Sequence, residues 1–329
     1  MATLAAGNLT LLDWSRRIDP QGKVPAIAEV LNETNEVLDD MVFKEGNLPT
    51  GHKSIIRTGL PDVVCRLLNY GVPISKSTTQ AVTDTCGMIE GYSEVDKDIA
   101  DLNGETSSFR LSEDRAFIAS MSKTHANLVF NGDTRTNPEK IMGFGPRFSL
   151  KSADNGANII DGGSNDTDNT SIWLVVWGDE TCFGMFPKGK QAGLQHKDLG
   201  EVTLTDAAGG HFQGYRAHYK WDTGLVVKDW RYIVRIANIE VSDLLKDAST
   251  GADIRDLMVQ ALEAVPSLSS GKPVFYCNKT IRSFLRRQLI NKANVNLTFD
   301  TAGGKRVLAF DEVPVKRCDA ITNTETLVS

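Results

Sequence analysis

Apolar positions along the chain fall into two helical registers and several runs with strand character. Val24, Ile27, Leu31, Leu38 and Met41, with Thr34 between them, alternate spacings of three and four. They predict a helix from about Val24 to Met41 with one apolar stripe. Pro25 suits only a first helical turn, which sets the start near Lys23. Leu111, Ile118, Met121, His125 and Leu128 keep the same spacing and predict a second long helix, Ser107 to Phe130. Glu113 and Asp114 lie early in it, where the helix dipole favours acids, and Asn131-Gly132 supplies a stop.

Between the two helices the pattern changes. Gly59-Leu60-Pro61 and Gly71-Val72-Pro73 are turn chemistry. They separate strand-like runs at Lys53 to Thr58, Val63 to Tyr70 and Ser77 to Tyr92, the last rich in β-branched Thr78, Thr79, Val82, Thr83 and Thr85. These runs predict a long hairpin-like ribbon with mostly polar faces, marginal alone and stabilised by a neighbour. Before Val24 lies a polar arm with Trp14, Arg16, Arg17 and Asp19-Pro20. Beyond Ile141, strands are predicted at Ser171 to Trp177, Thr181 to Phe186, Asp229 to Val241 and Pro273 to Cys277. Helices are predicted at Asp253 to Val265 and Thr280 to Ala293. Leu297 to Phe299 and Arg306 to Phe310 flank Asp300 to Gly304 as a hairpin. The class is α+β, without internal repeats.

Composition narrows the function classes. With 329 residues and 41% hydrophobic content, a compact body of this size buries roughly three quarters of its unfolded surface. It therefore needs no disulfide staples. Five widely spaced cysteines without a C-x-x-C pair read as reduced thiols. No apolar run reaches membrane-spanning length, and the basic pair Arg16-Arg17 follows the apolar stretch, the reverse of a secretory signal. A net charge of −6 argues against an ordinary basic nucleic-acid binder.

Candidate chemistry is sparse. Gly303-Gly304-Lys305-Arg306 lacks the first glycine and the hydroxyl residue of a phosphate loop, and reads as a hairpin turn. Gly143-Phe144-Gly145-Pro146 lacks a third glycine, and Pro146 removes an amide. Asp161 to Asn169 is rich in oxygen ligands. Counted as a calcium loop from Asp166, it puts Ser171 at the glycine position and Trp177 at the bidentate acid, so it reads as a solvated loop. His52 and His196 are expected in loops. His211 and His218, seven apart in a region of weak strand character, would face opposite sides of a strand. His125 reads as a packed or interface histidine. No metal-ligand spacing appears, and the Gly-x-Ser-x-Gly serine-hydrolase signature is absent.

Charged residues are more informative. Arg282, Arg286 and Arg287 share a predicted helix with Lys279 and Lys292. Either a solvated, salt-bridged face or an interface with acidic groups of another subunit accounts for them. Lys53, Arg57, Arg66 and Lys76 stud the ribbon, where charges guard against edge-to-edge aggregation and select a complementary partner.

A resemblance joins these features. Leu12-Asp13-Trp14, the helix Val24 to Met41, Phe43 to His52, Arg57 to Pro61, Ser93 to Asp98, Phe109 to Glu113, Ser171 to Gly178 and Trp230 to Glu240 resemble the major capsid proteins of epsilon 15-like, short-tailed bacteriophages. Those proteins have the Hong Kong 97-type fold. The resemblance implies an N-terminal arm and helix (1–45), an extended loop (46–100), a spine helix with a peripheral domain (101–241), an axial domain (242–312) and a return segment (313–329). It implies a structural protein rather than an enzyme, with no cofactor or metal, forming pentamers and hexamers of an icosahedral shell around double-stranded DNA. DNA contact would be weak and non-specific, cement and portal proteins are implied partners, and assembly would precede the virion in the host bacterial cytoplasm. A Lys–Asn cross-link is not expected, because no acceptor string accompanies Lys53 or Lys76. The competing readings are another virion component, such as a cement or vertex protein, and a homo-oligomeric enzyme with a non-local site.

Overall fold

The computed structural model describes residues 35–102, 106–206, 208–244, 252–291, 297–302 and 305–329. The polar arm and most of the first predicted helix lie outside these residues, as does the tip Gly303-Gly304. In chain order the elements begin with α1 (Val37–Asp40), β1 (Phe43–Glu45), β2 (Gly51–Gly59), β3 (Thr78–Asp96), α2 (Lys97–Asp101) and α3 (Thr106–Asn131). They continue with α4 (Phe144–Arg147), β4 (Ile159–Asp161), β5 (Asn169–Trp177), β6 (Cys182–Phe186), β7 (Gln195–Thr205), β8 (His211–Val227) and β9 (Ile233–Glu240). The last are α5 (Ile254–Ala264), β10 (Lys272–Cys277), α6 (Lys279–Asn291), β11 (Leu297–Ala302), β12 (Lys305–Phe310) and β13 (Val313–Arg317).

These elements form two compact units. The larger contains Asn35–Gly87, Ala126–Ala192 and Thr223–Ser329, and its centre is β5, buried along its whole length. Strand period two sends alternate side chains to opposite faces. Trp173, Val175 and Trp177 enter one core with Val129 and Phe130 of α3 and Phe144 of α4. Ile172, Leu174 and Val176 enter a second core with Ile254, Met258 and Ala261 of α5 and Ile281 and Leu285 of α6. Burial on both faces explains why the β5 sequence is a continuous apolar run rather than an alternation. Strand β5 pairs antiparallel with β9 and with β10, and β10 pairs parallel with β13. A single parallel bridge, Trp177 to Cys182, leads to β6, which pairs with β1 and β8.

The smaller unit holds Met88–His125 and Gly193–Asp222. Its strand face is a charge ladder. Lys220 Nζ lies 2.7 Å from Glu90, His218 stacks on Tyr92 at 4.5 Å, and Arg216 lies 2.6 Å from Glu94. Opposite charges and aromatics facing across two strands stabilise their pairing, and the bond from Lys220 holds the Glu90 carboxyl below its usual range.

Several expectations need correction. Val63 to Tyr70 is not a strand: residues 61–77 form an irregular connection with a turn at residues 68 and 69. The 229–241 strand begins only at Ile233, because the Asp229 carboxylate accepts from Arg231 N at 3.0 Å and caps a short 3-10 turn, Trp230–Tyr232. Strand β7 is absent from the sequence reading. The region around His211 and His218 is a seventeen-residue strand rather than a weak one, and His52 and His196 sit in strands β2 and β7 rather than loops. In α3 the predicted stripe is partly exposed at Leu111 and Ile118. The buried residues are Phe109, Met121, His125, Ala126, Val129 and Phe130. Gly132 follows the end of α3 as expected, at a position with no room for a side chain: a Cβ there would meet Ile141 O at 2.3 Å and Leu128 O at 2.5 Å.

Candidate assembly surfaces

The β2–β3 hairpin has an anchored base and a bare outer half. At the base, the side chains that alternate toward the body are Ser54 and Asp84, both buried, with His52, Ile56, Val82 and Cys86 half-buried. Asp84 accepts from Arg147 Nη2 at 2.6 Å and from Val227 N at 3.3 Å. His52 packs edge-on against Phe183 at 5.6 Å. Its burial and the nearby Lys228 charge keep that imidazole below its ordinary pKa. Outside the base, every residue from 60 to 81 is exposed.

Within that outer half the stretch from Leu60 to Ile74 is mainly apolar rather than polar, and Ser75 to Gln80 is polar. Leu60, Val63, Leu67, Leu68, Tyr70, Val72 and Ile74 are all exposed, Val63 at 91% and Ile74 at 101%. Scattered apolar residues are ordinary on a surface, whereas a contiguous group of this kind marks an interaction site. In the sequence this is an apolar run between two Gly-x-Pro turns, a pattern that suits a strand as well as an interface.

The predicted basic contacts are placed as follows. Lys53, Arg57, Arg66 and Lys76 are all exposed on the hairpin. Lys53 is tied at its backbone: its N–H donates to Asn47 Oδ1 at 2.7 Å, and its carbonyl accepts from Asn47 Nδ2 at 2.8 Å. Asn47 thereby covers two edge groups that would otherwise invite another strand. Arg57 sits at a register shift in the β2–β3 pairing. Arg66 Nε donates to Tyr70 O at 3.0 Å. A groove of about 790 Å3 runs between residues 52–60 and the Lys228–Arg231 turn. Its far wall is internally paired, Lys228 with Glu180 at 3.2 Å and Arg231 with Asp229 at 2.7 Å. On α6, Arg282 meets Glu36 of its own chain at 3.1 Å. Arg286 and Arg287 are exposed, and the Arg287 guanidinium covers the Phe284 ring at 5.2 Å.

The remaining polar groups hold structure together. Asp40, fully buried, accepts from Tyr276 Oη at 2.9 Å and Lys316 Nζ at 2.6 Å, and it also pairs with Lys272. Arg235 lies over the Trp173 ring at 5.0 Å and donates to Glu325 at 2.8 Å. His125 is a packed histidine whose ring lies 4.3 Å from that of Trp221. Burial pushes the Cys277 thiol up to about 12 and the Cys182 thiol higher still, so neither is a thiolate nucleophile at neutral pH. Asp166, Asp168 and Glu240 bring carboxylate oxygens within 4.8 Å of one another. Each already accepts a bond from a neighbouring loop group, namely Thr167 N, Ser242 N and Ser242 Oγ.

A mixed α+β body with a buried central strand, a long helix shared between two units and a projecting hairpin defines a phage capsid protein of the Hong Kong 97 type. The chain belongs to the family described as major capsid protein GP7, whose model matches residues 19–329. It is similar to a chain of the cryo-electron-microscopy structure of bacteriophage epsilon15, at 37% identity and TM-score 0.77, covering 100% of this chain and 99% of that one. The capsid chain of bacteriophage JBD30 shares the fold at 11% identity and TM-score 0.52, covering 92% and 99%. No curated protein matches in sequence. The protein is therefore a structural, homo-oligomeric component of a virion shell.

Proposed function

We propose that this chain closes an icosahedral shell as pentamers and hexamers around packaged double-stranded DNA, with no catalytic step of its own. The observation that carries the reading is the hairpin: its base is buried in its own subunit, and a mainly apolar stretch of its outer half is left bare for another copy. A single sequence that serves two ring sizes needs interfaces tolerant of small angular changes, and an arm attached at one end supplies that tolerance. Lys53, Arg57, Arg66 and Lys76 then select the acidic surface the arm meets. Arg286, exposed and without an ion pair among the described residues, does the same on the α6 face, while Arg282 supports it through Glu36.

The corresponding parts are an arm and helix over 1–45, an extended loop over 46–100, a spine helix and peripheral domain over 101–241, an axial domain over 242–312 and a return segment over 313–329. Net charge −6 supports weak, non-specific contact with DNA rather than tight phosphate binding. Cement and portal proteins are the remaining partners, and assembly takes place in the host bacterial cytoplasm. Electron microscopy with light scattering on the expressed full chain, with and without the phage's neighbouring structural proteins, tests the reading. Closed icosahedral particles are expected. Small oligomers under both conditions contradict it.

A further inference from the structure

We propose that the Asp84–Arg147 ion pair is the pivot that fixes the direction in which the hairpin leaves the subunit. The inference rests on the reading of the hairpin as an assembly arm. Asp84 is 4% exposed and lies at the last position where β3 is buried before residues 60–81, all of which are bare. One carboxylate there joins three elements. Its Oδ1 accepts from Arg147 Nη2 of α4 at 2.6 Å, and its Oδ2 accepts from Val227 N of β8 at 3.3 Å. The same Arg147 Nη2 also reaches Met142 O at 3.3 Å and Leu225 O at 3.5 Å. The guanidinium is thus held by the body on one side and by the arm on the other.

The two strands are paired through this point, with Gly51 opposite Thr85 and His52 opposite Asp84. They approach so closely that a Cβ at Gly51 would lie 2.0 Å from Asp84 O, so the hairpin turns as one piece. Of the other body-facing side chains at this level, Ser54 is buried but uncharged and His52, Ile56, Val82 and Cys86 are half-buried, so these contacts can slide against the body. A charged pair cannot slide, because separating it leaves a buried charge uncompensated. The pair therefore allows discrete arm directions rather than a continuous drift, as expected of a hinge in a packed structure.

The test uses full-length subunits purified before assembly. Nitroxides are attached at native Cys65 on the arm and at Ser269→Cys on the body, with Cys86→Ala removing the half-buried thiol. Pulsed electron-electron distance measurements on the parent should give one narrow distribution. Asp84→Asn keeps the shape and removes the charge, and should broaden that distribution at least twofold while slowing assembly at least tenfold. Arg147→Lys keeps the charge without the fork and should fall between the two. It also serves as the readable variant if Asp84→Asn does not fold by circular dichroism. Broadening with unchanged assembly would uphold the pivot and remove the arm from assembly. An unchanged distribution in a folded variant would overturn the pivot.

Discussion

His125 shows how one buried side chain makes this protein sensitive to acid. It sits buried on α3 against Trp221, and burial pushes its pKa down to about 4. The unfolded chain binds the proton at about 6.5. Between those values the unfolded state holds more protons than the folded one, so stability is complete above about pH 6.5 and falls as the pH drops toward 4. The whole effect is on the order of 3 kcal/mol. Melting temperature measured from pH 7 to pH 4.5 should fall in the parent and stay flatter in His125→Phe, and equal slopes would contradict the assignment. Asp40 is a second such position. Asp40→Ala strands Lys316 and Tyr276 without their acceptor, while Lys272, about half exposed, recovers water. We expect a loss of about 3 kcal/mol in urea unfolding, at the low end for a broken buried pair. A loss below about 1 kcal/mol would show that the network is replaceable.

At the scale of elements, the hairpin combines strand pairing over Gly51–Gly59 and Thr78–Thr85 with an unpaired stretch between them. Exposed irregular backbone is where proteases cut first. Trypsin on unassembled subunits should therefore cleave first after Arg66 or Lys76, and assembled particles should resist at both sites. First cuts within β5 or α5 would contradict this division of order. Both strands of the hairpin were legible in the sequence because β-branched runs and Gly-x-Pro turns are local signals. The bareness of Val63 to Tyr70 was not, since the same apolar run suits a strand or an interface. Strand β7 was missed for a related reason. Its polar, mostly exposed sequence, Gln195 to Thr205, is held by pairing with β8 rather than by an apolar face of its own. Asp84 and Arg147, 63 positions apart, left no local mark at all.

For the molecule as a whole, the order of elements and the strings shared with phage capsid proteins were readable along the chain. The grouping of elements was not, because it depends on which distant segments meet. Three boundaries between the two units fall inside β3, α3 and β8, at Gly87–Met88, His125–Ala126 and Asp222–Thr223, where periodicity runs on without a break, while another, Ala192–Gly193, lies in the connection between β6 and β7. Breaks in hydrophobic pattern locate turns, not units. The basic residues were likewise readable as a set but not one by one: Arg282 is engaged by Glu36 of its own chain, whereas Lys53 and Arg57 have no ion pair among the described residues. The central claim is that one copy's bare arm is completed by another copy in a closed shell. Cryo-electron microscopy of particles formed by the full chain measures this directly. The account predicts closed icosahedral shells in which residues 60–77 are buried against a neighbouring copy. Shells whose arms remain in solvent, or assemblies that close without arm contact, would contradict it.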